Sequence, residues 1–218
     1  MNTHTPTKAG LAALLTATAL ALTACGSDSS SGDDKKIDGA KKATKSASPT
    51  ASPSDDGLKR PKITLPSDVH NVFEDRKTGD PKKDAVLADN ERRINSVDEA
   101  ITSGDRNRPG LKFYSKEGAL LSASEYVQTF IDNGTTFTGA TRYYDRKVTF
   151  LKDGAAAVTY CSDETKSYNK NRKTQEVRKL PGSPDDYTFY NTRLEKNKSG
   201  VWQTSNVISQ EGAKQCQP

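Results

Sequence analysis

The sequence is poor in hydrophobic residues and lacks the long patterns of several protein classes. Hydrophobic residues make up 32% of its 218 residues, a low share for a chain that folds entirely around a core. We therefore expect part of the chain to lie outside the folded domain. The sequence has no glycine period, no long heptad run and one long apolar stretch, which excludes collagen, a coiled coil and a multi-pass membrane protein.

Histidine and the motifs of common catalytic and metal sites are also scarce. The chain has two histidines. His70 lies in a polar segment, which is more typical of a surface residue than of a general base. No Gly-x-Ser-x-Gly, His-Glu-x-x-His, Cys-x-x-Cys, calcium-loop or nucleotide-binding glycine pattern occurs. We therefore expect no metal site, no cofactor and no histidine-based catalysis.

The charge of the chain does not point to a nucleic-acid partner. There are 33 Lys and Arg residues against 28 Asp and Glu residues, a net charge of +5. This excess is small, and no basic stripe is interleaved with aromatic residues, so we expect no nucleic-acid partner.

One apolar segment lies near the N-terminus. Residues 9–24 carry no charge and are rich in Ala and Leu. The segment is shorter than the roughly 20 residues of a bilayer-spanning helix and ends in small residues, which is the layout of a cleavable export signal. We predict a signal peptide over residues 1–24.

The end of this segment is more specific, because Leu22-Thr23-Ala24-Cys25 resembles the lipobox of bacterial lipoproteins. In that family a diacylglyceryl group is attached to the cysteine sulfur and the signal is cut before the cysteine. The resemblance implies lipid attachment at Cys25, the membrane as a partner through this anchor, and a location on the outer face of the bacterial cytoplasmic membrane. The alternative is an ordinary signal peptide with a chance cysteine.

The next segment predicts a tether. Residues 25–66 contain mostly Ser, Asp, Lys, Gly, Ala, Pro and Thr, a composition too polar to order itself, so we predict a flexible linker.

Of the three cysteines, removing Cys25 leaves Cys161 and Cys216. An even pair in an exported chain predicts a disulfide, with two buried thiols as the alternative.

Residues 67–218 are predicted to form one α+β domain, in which two main helices pack on a curved antiparallel sheet. The first helix follows the N-cap Asp80 and stops at Gly104, and the second runs from Gly118 to Asn133. Leu111 to Tyr114 is expected to be a short strand. After Gly134 the period changes from helical to two. The predicted strands are Phe137 to Tyr144, Arg146 to Leu151, Ala155 to Cys161, Thr188 to Leu194 and Val201 to Ile208.

This order of elements resembles the nuclear-transport-factor-2-like superfamily, the cone-shaped fold of steroid isomerase and polyketide cyclase types. Within it, the pattern is similar to a group of actinobacterial lipoproteins. The motifs behind the resemblance are Thr78-Gly79-Asp80-Pro81, Ala100-Ile101-Thr102-Ser103-Gly104-Asp105, Tyr160-Cys161-Ser162-Asp163, Gly200-Val201-Trp202 and the late Cys216. The resemblance implies a cone-like domain whose cavity is an enzyme site in some relatives and a binding surface in others.

Two sets of residues are candidates for function. Steroid-isomerase-like cones use a carboxylate base with Tyr donors, and Asp163 with Tyr160 is the first pair to test for this chemistry. The two residues are three positions apart, so an ideal strand places them on opposite faces, and only a bulge at Ser162 would bring them together. The stretch from Glu164 to Tyr187 is predicted to be a long polar connection, and its bases are candidates for partner contact. These bases are Lys166, Lys170, Arg172, Lys173, Arg178 and Lys179.

The sequence therefore favours a lipid-anchored binding or docking module without enzymatic activity. Its occupant would be a partner protein, a cell-wall component or a small apolar molecule. The alternative is a cavity enzyme of isomerase or cyclase type with an Asp base and Tyr donors. The oligomeric state does not follow from the sequence.

Overall fold

The structure is a computed structural model, and it describes residues 57–218. The predicted signal peptide, Cys25 and the predicted linker as far as residue 56 lie outside the described residues. No helix of the described part is both long and apolar enough to cross a membrane.

The described chain forms a helical layer and a sheet. The helices are α1 (Pro81–Ser103), α2 (Pro109–Tyr114) and α3 (Glu117–Asp132), with single 3₁₀ turns at Pro184–Asp186 and Lys214–Cys216. The strands are β1 (Val69–Phe73), β2 (Thr135–Phe150), β3 (Ala156–Asn171), β4 (Val177–Arg178), β5 (Tyr187–Lys196) and β6 (Trp202–Glu211). The predicted α+β, cone-like architecture is confirmed.

The sheet is mixed rather than wholly antiparallel. Its order is β1-β2-β3-β5-β6, and β4 adds to the side of β3. Strand β1, which the sequence did not predict, pairs in parallel with β2, while the other pairs are antiparallel. The two predicted strands on either side of Asp145 form the single strand β2.

Irregularities in the pairing of β2 with β3 bend the sheet around the helices. The β2–β3 register shifts between Ala140 and Arg142 and again between Tyr144 and Lys147, and such bulges bend and twist a strand. Gly139 has φ 107, and a Cβ there would lie 2.1 Å from the carbonyl oxygen of Lys166. Only glycine fits this close approach between the strands.

The predicted ends of α1 are confirmed. The Asp80 carboxylate accepts a hydrogen bond from the Lys82 amide at 2.8 Å, and Gly104 ends the helix in the left-handed region at φ 69. The prediction of a strand at Leu111 to Tyr114 was wrong. Pro109 occupies the first turn of α2, and the buried side chains of Leu111 and Tyr114 share one helical face.

Helix α1 is buried on several sides and carries acidic side chains that are paired inside the domain. Glu91 accepts from Arg146 at 2.6 Å and from Arg76 at 2.9 Å, and the Arg146 side chain is fully buried. Asp89 accepts from Arg60, from Arg92 and from the Trp202 backbone amide. These pairs tie β2, β6 and the entering chain to one helix.

Ordered packing begins before the predicted domain boundary at Ser67. In addition to the Arg60–Asp89 pair at 2.7 Å, the backbone amide of Thr64 donates to Glu99 at 2.9 Å. Glu99 is buried and also accepts from Arg108 at 2.6 Å. The last residues of the predicted linker therefore lie against α1.

The predicted disulfide between Cys161 and Cys216 is present, with 5.5 Å between the Cα atoms. It joins the centre of β3 to the C-terminal turn. Tyr144 donates its hydroxyl to the Cys216 carbonyl, and Tyr187 and Phe189 pack against the same cluster. This cluster fixes the C-terminal tail to the sheet.

Candidate functional site

An open cavity of about 660 Å³ lies between the two long helices and the sheet. Helix α1 contributes one wall through residues on a single helical face, which are Arg93, Ile94, Val97, Asp98 and Ile101. Helix α3 contributes a second wall through Ser122, Ala123, Tyr126 and Phe130. Strands β2, β3, β5 and β6 form the third wall. The cavity is therefore the space that the curved sheet leaves beneath the helices.

Tyrosine dominates the lining of this cavity. The five tyrosines in the wall are Tyr126, Tyr143, Tyr160, Tyr168 and Tyr190, and Phe130 and Phe137 complete the aromatic set. Three of them form a continuous ring surface. Tyr160 stacks on Tyr190 with 4.8 Å between ring centroids, and Tyr143 meets Tyr160 edge-on at 6.1 Å. Such rings give a ligand a flat apolar surface with polar hydroxyls at its edge.

Asp98 is the carboxylate that α1 places in the cavity wall. It follows Ile94 by one helical turn and therefore lies on the face that α1 turns to the cavity. The Asn71 amide donates to Asp98 at 2.5 Å and is itself held by Asn95 at 2.8 Å. Burial raises the pKa of Asp98 to about 7, against the Asn71 hydrogen bond, and the charge of Glu164 adds to the rise.

Glu164 is the carboxylate that β3 adds. Side chains alternate along a strand, so Glu164 shares a face with Tyr160 and Ser162. The Ser162 hydroxyl donates to Glu164 at 3.1 Å. Burial raises the pKa of Glu164, and the charges of Asp186 and Glu211 raise it further. Asp98 and Glu164 are thus two carboxylates in a poorly solvated space, and neither forms an ion pair with residues 57–218.

Arg93 is the basic residue of the lining. It is 9% exposed, and its Nε has no hydrogen-bond partner in the part of the chain that the structure describes. A guanidinium stays charged at any ordinary pH. Among the residues that line the cavity, Arg93 carries the one cationic side chain, and its guanidinium can donate to an acceptor on a bound molecule.

The structure does not bring the predicted pair Asp163 and Tyr160 together. Tyr160 lines the cavity, whereas Asp163 lies on the opposite face of β3 and is absent from the lining. Asp163 instead accepts from Thr165 at 2.7 Å and forms an ion pair with Arg142 at 3.5 Å. Burial raises the pKa of Asp163, but the hydrogen bonds from Thr165 and the charge of Arg142 outweigh burial and lower it.

The predicted long connection after Glu164 was also wrong in its first part, because β3 continues to Asn171 and turns back into β4. The outer part of β3 is polar on both faces, so its sequence does not show the alternation of apolar and polar residues by which a strand is recognised. Lys166 and Lys170 lie on β3, and Arg178 lies on β4.

Two of the six candidate bases have structural partners. Arg172 donates to the Ile101 and Thr102 carbonyls at the end of α1 and to Thr135. Lys170 pairs with Asp68 at 3.0 Å. Lys179 lies over the Tyr168 ring at 5.3 Å, while Lys166, Lys173 and Arg178 are exposed.

The sequence held one signal for the missed site. An acidic residue, Asp98, interrupts the apolar face that Ile94, Val97 and Ile101 form on α1. A charge on a buried face is unusual and points to a cavity or a partner.

His70 is exposed on β1 and does not line the cavity. No group of His, Cys, Asp or Glu within the described range has the arrangement of a metal site.

Solved structures similar to this chain were found, at low sequence identity. ActVI-ORFA from Streptomyces coelicolor is 9% identical over 62% of this chain and 96% of its own, with a TM-score of 0.41. Aln2 from a Streptomyces species is 12% identical over 62% of this chain and 94% of its own, with a TM-score of 0.42. A ketosteroid isomerase-like protein from Erwinia carotovora atroseptica is 16% identical over 57% and 95%, with a TM-score of 0.36. No protein-family model and no curated protein sequence matches the chain.

Proposed function

We propose that the protein is a lipid-anchored, extracytoplasmic binding protein whose cavity takes one small molecule with a flat apolar body. The observation that carries this proposal is the open cavity of about 660 Å³ with five tyrosines in its wall. Sites for small ligands range over roughly 300–1,000 Å³, with mostly apolar walls and a few convergent polar groups. The wall of this cavity is divided about evenly between apolar and polar residues, and Arg93, Asp98 and Glu164 are among its charged groups.

The proposed location rests on the N-terminal sequence. The lipobox-like Leu22-Thr23-Ala24-Cys25 supplies an anchor, and the polar residues that follow supply a tether. Anchoring and binding fit together, because a tethered domain with an open cavity samples the space next to the membrane.

A cavity enzyme is the second candidate, and the pKa of Asp98 favours it. A carboxylate with a pKa of about 7 suits proton transfer near neutral pH. The described hydrogen bonds, however, join Asp98 to Asn71 rather than to a tyrosine hydroxyl. If the cavity is catalytic, it should exchange the α-protons of 2-tetralone for deuterium faster than buffer does, and Asp98→Asn should remove this activity.

Ligand binding is tested with the full-length chain and a library of flat aromatic fragments of mixed charge, by ligand-observed NMR. Two neighbouring tryptophan substitutions on α3 form a matched pair. Ser122→Trp places the new ring in the cavity wall, whereas Leu121 is 62% exposed and outside the lining. We expect some fragments to bind the wild type and Leu121→Trp but not Ser122→Trp. The proposal is wrong if no fragment binds, or if binding is unaffected by Ser122→Trp.

A further inference from the structure

We propose that the ligand of this cavity is an organic cation, an amine with an aromatic ring whose ammonium group lies beside Asp98 and Glu164. This inference rests on the proposed function and adds the charge class of the ligand. It is carried by the charge of the lining, by the arrangement of the tyrosines and by the position of the one basic residue.

The charge of the lining is opposite to that of the chain. The whole sequence has a net charge of +5, yet the cavity wall holds four carboxylates and one guanidinium. The four carboxylates belong to Asp98, Glu164, Asp186 and Glu211. None of them forms an ion pair with a residue from 57 to 218, although paired carboxylates are common elsewhere in the domain. A cation in the cavity would meet an attractive potential from several directions.

The two half-buried carboxylates, Asp98 and Glu164, and the tyrosines face the same space. Tyr126 and Tyr143 line the cavity together with both carboxylates. Burial raises the pKa of the Tyr143 hydroxyl, and the charges of Asp98 and Glu164 raise it further. Carboxylates combined with aromatic rings form the environment that binds alkylammonium groups, through charge and through cation–π attraction.

Arg93 sets the orientation of the ligand. Its charge acts on both Tyr160 and Asp98, whereas Glu164, four residues after Tyr160 on the same face of β3, lies about 13 Å further along the strand. The guanidinium therefore repels an ammonium at its own end of the cavity. It offers a donor to a hydroxyl or carbonyl there, and the ammonium occupies the Glu164 end.

Four probes with closely similar skeletons test the charge class. Tyramine carries an ammonium and a phenol, phenethylamine lacks the phenol, 4-ethylphenol lacks the ammonium, and 3-(4-hydroxyphenyl)propionate carries a negative charge. Dissociation constants are measured by NMR titration of the full-length chain at pH 8, where Asp98 is ionised. We expect tyramine to bind about tenfold more tightly than 4-ethylphenol. Phenethylamine should bind less tightly than tyramine, and the propionate should be the weakest probe.

Variants then assign the effect to residues. Glu164→Gln should remove most of the advantage of tyramine over 4-ethylphenol and leave 4-ethylphenol unchanged. Asp163→Asn is the matched control, since this neighbouring carboxylate faces away from the cavity, and it should change nothing. Arg93→Gln should reduce the difference between tyramine and phenethylamine. If Glu164→Gln does not fold, Asp98→Asn replaces it, with the same expected loss.

The outcomes distinguish a failure of this inference about ligand charge from a failure of the proposed function. If 4-ethylphenol or the propionate binds as tightly as tyramine, and Ser122→Trp removes that binding, the cavity is a ligand site but the inferred charge is wrong. An unchanged tyramine advantage in the Glu164→Gln variant would also overturn the inference. If no probe and no library fragment binds in a manner sensitive to Ser122→Trp, the proposed function fails as well.

Discussion

Replacing Asp98 by Asn should alter the pH dependence of folding stability in a defined direction. A pKa of about 7 against the ordinary 3.8 means that the native state keeps a proton that the unfolded chain releases above about pH 4. The contribution of Asp98 to the free energy of unfolding of the wild type therefore falls as pH rises from about 4 to 7. The full difference corresponds to about 4 kcal/mol, an upper figure because Asp98 partly faces the solvent in the cavity.

The asparagine side chain of this variant has no charge to desolvate and can still accept the hydrogen bond from Asn71. Relative to the wild type, the variant should therefore gain stability between pH 4 and pH 8, by up to about 4 kcal/mol. Urea unfolding followed by the fluorescence of Trp202 measures this. Trp202 is the single tryptophan of the chain and is 7% exposed, so its emission reports the loss of the core.

Asp163→Asn is the control because its pKa shift has the opposite sign. Burial raises the pKa of Asp163, but Thr165 and Arg142 lower it overall. The stability that this group contributes is present above pH 4 and is lost only as pH falls through the lowered pKa. Its effect should therefore be constant from pH 5 to 8. If the difference between Asp98→Asn and the wild type is equally constant, Asp98 is not a desolvated carboxylate and the reasoning is refuted.

Three further predictions concern the anchor and the core. Cys25→Ser should leave the protein uncleaved or release it from the membrane fraction. Mass spectrometry of mature wild-type protein would contradict the anchor if the protein begins at a residue other than Cys25 or carries no lipid. Cys216→Ser should lower the free energy of unfolding by a few kcal/mol, up to about 4 from the loop-entropy model, and two free thiols in unfolded, unreduced protein would exclude the disulfide. Arg146→Met should destabilise the domain by roughly 2 kcal/mol in urea unfolding, because Glu91 loses its fully buried partner and keeps only the more exposed Arg76. A change below about 0.5 kcal/mol would contradict this.

Local signals in the sequence predicted the elements whose ends are set by a few residues. The cap at Asp80 and the stop at Gly104 depend on backbone conformations that particular residues favour. The disulfide followed from the number of cysteines and from the predicted export of the chain. These features need no knowledge of distant contacts.

The elements that were missed depend on distant contacts. Strand β1 is five residues long and is held by pairing with Gly139 to Tyr143, some 70 residues later. The outer half of β3 is polar, so its strand conformation comes from pairing with β2 rather than from alternation. The cavity carboxylates were missed for the same reason. Asp98 and Glu164 meet only after α1 and β3 pack, and no spacing in the sequence links them.

The central claim, that the open cavity is the functional site, is tested most directly by NMR of the full-length chain with isotope-labelled tyrosine rings. The eight tyrosines divide into five in the cavity wall and three outside it, which are Tyr114, Tyr144 and Tyr187. With a saturating concentration of whichever probe or library fragment binds most tightly, we expect the largest shifts at Tyr126, Tyr143, Tyr160 and Tyr190. Shifts confined to Tyr144 and Tyr187, or no shift at any ring, would contradict the claim.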